Sequence, residues 1–191
     1  MNKTRLEAFS DGVIAILITI MVLELRAPQG GDLRALRPVM PTFLTYVLSF
    51  IFLGIYWNNH HHLLHATRRI NGAVLWANLH LLFWLSLVPF VTSWTGENPM
   101  APLPAAIYGV VFLLAAIAYY ILLQTILKCE GPQSRLAAAI GEGIKEKLSL
   151  VLYVVAIPLA FVRQWIAYGL YVVVALMWLV PDRRIESKVT E

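Results

Sequence analysis

The sequence predicts an all-α transmembrane bundle of six spans in a single repeat, and three observations predict it. Apolar residues make up 59% of the chain and charged ones 14%, with a mean hydropathy of +0.70, whereas a soluble domain carries about 25% charged residues. Four stretches, 39–67, 70–96, 98–127 and 148–162, contain no Lys, Arg, Asp or Glu. The first three exceed the ~20 residues that cross a bilayer core. The breaks between them, such as RAPQGGDLRALRP and TGENPMAPLP, are rich in Gly, Pro and charge.

The first helix is expected over about residues 5–25, RLEAFSDGVIAILITIMVLEL. Its Asp11 is out of place in a span, because Asp near a helix centre costs about 3 kcal/mol on insertion scales. Asp11 and the lack of a small-residue cleavage site argue against a cleaved signal peptide, despite Lys3 and Arg5. The second helix opens near Pro41, a favourable first-turn residue, and runs over about 41–64. The third covers about 71–94, where Pro89 predicts a kink whose freed carbonyl needs a partner. A fourth spans about 105–127. RLAAAIGEGIKEKL, which follows, mixes charge with small apolar residues and reads as an interfacial helix or a cytosolic lead-in.

The last two apolar blocks, 148–162 and 166–180, would each rise only ~22 Å at 1.5 Å per residue, short of a ~30 Å hydrocarbon core. They are either two spans extended by flanking turns or a re-entrant hairpin, and two spans are favoured. With six spans and both ends inside, eleven of the 15 Lys and Arg residues fall on the cytosolic side. Arg26, Arg34, Arg37 and Arg163 remain on the outer side, a bias that places both termini in the cytoplasm. The formal charge of +4 is spread as topology signals rather than as a nucleic-acid patch. A single cysteine, Cys129, allows no internal disulfide and gives no metal-site spacing.

Three sets of polar or patterned residues remain. Ile16, Thr19, Ile20 and Leu23 fall at i, i+3, i+4 and i+7 on one face of helix one. Any apolar helix yields such a stripe, and Thr19 can simply bond back to the Ala15 carbonyl. YWNNHHHLLHATRR supplies His60, His61, His62 and His65. His61 and His65 have a zinc-compatible spacing, but no HExxH pattern or acidic partner accompanies them, so an interfacial cluster is the commoner reading and no metal is expected. Asn78 and His80 lie inside the third span, where a polar side chain needs a partner. Trp57, Trp84 and Trp94 fit interfacial belts. No carbonyl-filter sequence, P-loop, Gly-x-Ser-x-Gly or intramembrane carboxylate pair is present, and no inverted repeat is visible.

Arg5-x-x-x-Phe9-Ser10-Asp11 followed by an apolar helix resembles the signature of the transmembrane protein 175 family of potassium channels. SFIFLGIYWNNHHHLLH and NLHLLFWLSLVPFVTSW extend the resemblance in weaker form. It implies a bacterial, multi-pass inner-membrane protein that assembles as a homotetramer, with four copies of helix one around a central pore. Carried over by position, Ile16 forms the pore constriction nearest the motif, with Thr19, Ile20 and Leu23 further out. Arg5, Phe9, Ser10 and Asp11 would form a polar network at the cytosolic end, in which Asp11 stays hydrated or pairs with Arg5 and a histidine. Trp57, His61 and His80 are the candidate partners. The resemblance further implies a non-enzymatic, cofactor-free channel passing potassium and other monovalent cations. A ring of isoleucines supplies no oxygen ligands, so only a modest preference for potassium over sodium is expected. An ion- or proton-coupled transporter is the alternative; it needs an ionisable residue at mid-membrane, where only His80 comes close. A membrane enzyme would have to use the histidine cluster.

Overall fold

The computed structural model describes residues 3–131 and 144–179. They form seven α-helices: α1 Lys3–Leu23, α2 Met40–Ala66, α3 Gly72–Ser86, α4 Val88–Glu97, α5 Pro102–Glu130, α6 Ile144–Val162 and α7 Gln164–Leu179. A 3-10 turn, Leu33–Leu36, lies between α1 and α2, and the Asp32 carboxylate caps it by accepting from the Ala35 N–H at 3.1 Å. Lys3–Leu23, Met40–Ala66, Gly72–Glu97 and Pro102–Glu130 are each long and apolar enough to cross a membrane. Most of the charged stretch 135–148 lies outside the described residues, as does everything from 180 onward.

Proline placement explains several boundaries. Pro41 stands in the first turn of α2, and Pro102 and Pro104 in that of α5, where a missing N–H costs nothing. Helix α5 therefore starts three residues before the expected 105. Pro89 splits the third span: α3 ends at Ser86, and α4 begins after Leu87, whose N–H is held by Trp84 O at 3.2 Å. Ser86 Oγ also bonds back to Phe83 O at 2.7 Å, so local bonds brace the chain on the N-terminal side of the break.

Helices α6 and α7 turn at Arg163 and lie antiparallel, in contact with each other and with α5. At one end Tyr168 Oη donates to Pro99 O and Tyr171 Oη to Ala105 O. At the other, Trp178 Nε1 donates to Ser149 Oγ at 2.8 Å. The pair thus runs side by side along the bundle. Helix α6 gains length by beginning at Ile144, four residues before its apolar block.

Tyr108, Phe112, Phe52 and Tyr171 fill the centre, with the Phe52 and Phe112 rings 4.4 Å apart and those of Tyr108 and Tyr171 5.5 Å apart. Gly109 makes this possible, since a Cβ there would collide with the Tyr171 hydroxyl. Gly96 likewise lets α4 meet the Thr42 backbone of α2. The termini sort by charge. Lys3 Nζ donates to His65 O at 2.9 Å, and Glu130 Oε1 accepts from the Arg68 and Arg69 N–H groups. One end therefore collects Lys3, Arg68, Arg69 and the end of α5. Arg26 sits at the opposite end, 3.9 Å from Glu97.

Candidate functional site

Helix α1 has two unlike faces. Leu6, Ser10, Ile14, Leu17 and Met21 are buried where α1 contacts α2, α3 and α4. Ile16, Thr19, Ile20 and Leu23 lie on the side turned away from the bundle, with Ile16 57% and Leu23 80% exposed. All four stripe residues share this outward face. The Thr19 hydroxyl bonds to Ile16 O at 2.8 Å, not to the Ala15 carbonyl, so it remains tied to its own helix.

Behind that face is a buried polar chain. Ser10, fully enclosed, donates to Leu6 O and accepts from Asn78 Nδ2, both at 2.9 Å. Asn78 Oδ1 in turn accepts from His60 Nε2 at 2.7 Å, which fixes the proton on that ring nitrogen. Three helices, α1, α2 and α3, are thus laced by three buried side chains. One residue along, Asp11 Oδ1 accepts from Trp57 Nε1 at 3.0 Å. The Trp57 ring stacks on His61, and His61 stacks on His65, with centroids 5.9 and 6.1 Å apart.

Some expected members lie elsewhere. Arg5 is exposed and forms no ion pair with Asp11, which lies six residues on and so on a different side of the helix. Phe9 also faces outward. His80 is exposed and accepts from Trp84 Nε1 at 3.0 Å. Two residues from Asn78, it is turned ~200° around α3 and cannot join Asn78 on the buried side. His61 reaches Asp11 only through Trp57.

The residue that sequence reasoning missed is His60. It falls on the buried rhythm of α2, seven after Leu53 and four before Leu64, a pattern that could have separated it from its three neighbours. A second enclosed chain was equally unread: Thr92 Oγ1 donates to Ser49 Oγ at 2.7 Å, and Ser49 pairs with Tyr108 Oη at 3.0 Å. It backs the C-terminal half of α1, near Met21 Sδ. Among the described residues no group of three or more His, Cys, Asp or Glu is placed to hold a metal ion.

Helix α1 thus carries an outward strip that is mostly apolar and a hydrogen-bonded anchor inward. Comparison with known proteins agrees with a channel scaffold. Residues 5–89 match the family described as endosomal/lysosomal potassium channel TMEM175. A potassium channel of Chryseobacterium sp. (strain P1-3) is 53% identical over 191 residues, covering 100% of both chains. A potassium channel of Streptomyces collinus is 31% identical, covering 93% of this chain and 92% of its own. The crystal structure of a lysosomal potassium-selective channel TMEM175 homolog from Chamaesiphon minutus superimposes with a TM-score of 0.81. That match has 30% identity and covers 93% of this chain and 96% of the other.

Proposed function

The chain belongs to the TMEM175 family of potassium channels, and from that premise we propose that it conducts potassium as a homotetramer whose pore is lined by four copies of α1. The observation that carries this reading is the outward strip of Ile16, Thr19, Ile20 and Leu23, opposite a face anchored by Ser10, Asn78 and His60. One chain leaves that strip open on all sides, so a pathway needs symmetric copies to close around it. Ile16 forms the tightest ring. An apolar constriction conducts only when wetted, so opening requires α1 to rotate or tilt. With no ring of oxygen ligands, ions are ranked by dehydration cost, so potassium is preferred modestly over sodium and other monovalent cations also pass. No cofactor is needed beyond the permeant ion.

The protein spans the membrane several times, and we place it in the bacterial inner membrane with cytoplasmic termini. The grouping of Lys3, Arg68 and Arg69 at one end supports that orientation. A coupled transporter would instead need an ionisable group facing the pathway. His60, the histidine that is buried among the described residues, faces Asn78 behind α1.

Reconstitution of the purified protein in planar bilayers tests the reading. Unitary potassium currents are expected, together with crosslinking in mild detergent that stops at four subunits. Slow saturable flux without unitary steps, or a conducting monomer, overturns it.

A further inference from the structure

Away from α1, a cleft of about 50 Å³ lies among α2, α5, α6 and α7, walled by Phe52, Tyr56, Tyr119, Tyr153 and Trp178, with Glu146 also in its lining. Two of these groups are left unsatisfied by the protein. Tyr153 is 2% exposed, yet it makes no hydrogen bond among the described residues, unlike Tyr108, Tyr119 and Tyr171. No fully sealed side-chain nitrogen or oxygen lacks a partner among the described residues, so the Tyr153 hydroxyl opens into the cleft that it lines. Glu146 forms no ion pair among the described residues. Its sequence neighbours Lys145 and Lys147 do not line the cleft.

The other polar groups there are already engaged. Ser149 Oγ donates to Lys145 O and accepts from Trp178 Nε1, and Asn59 Nδ2 donates to Ile55 O. What remains is a carboxylate, a phenol oxygen and several aromatic faces. That set rejects an anion, because Glu146 would repel it. A purely apolar guest would leave the buried Tyr153 hydroxyl without a partner, which buried polar groups avoid, and the half-buried Glu146 carboxylate unpaired.

We propose that this cleft binds an organic ammonium group carried on an apolar stem. The ammonium donates a charge-assisted hydrogen bond to Glu146 and a second to the Tyr153 oxygen. The rings of Tyr56, Tyr119 and Trp178 add cation–π attraction. Because one water needs roughly 10–15 Å³ of such space, the cleft admits only a head of a few heavy atoms, and the stem must extend through the open side. Both a free alkylamine and an aminophospholipid headgroup carry this chemistry. The site does not depend on the pore reading, since α1 takes no part in it.

The test uses the full chain in phosphatidylcholine nanodiscs, with its melting temperature followed as n-hexylammonium or n-hexanol is added. A saturable rise with the ammonium and none with the alcohol is expected. Glu146→Gln should weaken that response roughly tenfold, and Tyr153→Phe should weaken it several-fold, since it keeps the ring and loses the oxygen. Adding phosphatidylethanolamine to the nanodiscs then assigns the source. A shift of the titration to higher hexylammonium supports the site with a lipid headgroup as occupant, and an unshifted titration supports it with a free amine. Equal responses to amine and alcohol, or an unchanged response in both variants, would overturn the proposal.

Discussion

Trp57 of α2 donates its indole N–H to the Asp11 carboxylate of α1 at 3.0 Å, one residue beyond the enclosed Ser10. This contact gives the Asp11 carboxylate a partner where the apolar run of α1 begins. Asp11 is partly exposed, lies in the half of α1 that begins near the end of α2, and is held by an indole that is itself stacked on His61. Together with the buried Ser10–Asn78–His60 chain, the hydrogen bond helps to set the rotation of α1, and with it the direction in which Ile16 points.

Trp57→Phe retains a ring to stack on His61 and removes the donor. A side-chain hydrogen bond between membrane helices is worth about 0.6 kcal/mol on average and rarely above ~1.7. The variant should therefore lose about 1 kcal/mol in stability and, if α1 lines the pathway, alter open probability, and Asp11→Ala should do the same. The ratio of potassium to sodium permeability should stay unchanged, because neither residue is on the outward strip. Denaturation in mixed detergent and reversal potentials check this; a shifted ratio with normal stability would contradict it.

The buried chain makes a sharper contrast. Asn78→Ala strips the enclosed Ser10 of its donor and His60 of its acceptor and should cost about 1–3 kcal/mol. His80→Ala, two residues away and outside the chain, removes only an exposed bond to Trp84 and should cost under about 0.5 kcal/mol. Equal losses in the two variants, measured by the same denaturation, would mean that the Ser10–Asn78–His60 chain carries no special weight.

How far the sequence could be read follows from what each residue reports. Long charge-free runs and proline-flanked breaks reveal helices because desolvation is a property of each residue, independent of its neighbours. That Ile16, Thr19, Ile20 and Leu23 share one helical face was legible from spacing, but that this face turns away from the bundle was not, since any apolar helix yields such a stripe. Partnerships were not legible, since a pair such as His60–Asn78 depends on how two helices rotate against each other. Rotation also separates Asn78 from His80 and Arg5 from Asp11. The Ser49–Thr92–Tyr108 chain was hidden further, because each of its members looks like an isolated polar residue in an apolar run.

Topology gives an independent check. Cys129 lies at the end of α5, with its thiol 3.6 Å from Arg69 O, among the grouped basic residues. If that end is cytoplasmic, a membrane-permeant maleimide should label Cys129 in intact cells and an impermeant one should label it only after lysis. Labelling of intact cells by the impermeant reagent would reverse the orientation.

The pore face is tested at Ile16 and Ile18, two residues on the same turn with opposite fates. Ile16 is 57% exposed on the outward strip, whereas Ile18 is partly buried and packs on the core. If four Ile16 side chains form the apolar barrier, shrinking or hydrating the ring should ease wetting. Ile16→Ala and Ile16→Asn should then raise conductance and weaken the preference for potassium. Leu23→Ala should act the same way but less, since it stands nearly two turns further along, where α1 ends. Ile16→Cys should react with a small permeant thiol reagent and change the current, while Ile18→Cys should stay silent. The comparison is best made in a Cys129→Ser background, which removes the native thiol. Ile18 variants also report packing damage, because a core defect would lower tetramer yield without adding a reactive site to the pathway. Equal reactivity at positions 16 and 18, or unchanged currents in both Ile16 variants, would show that α1 does not line the conduction path.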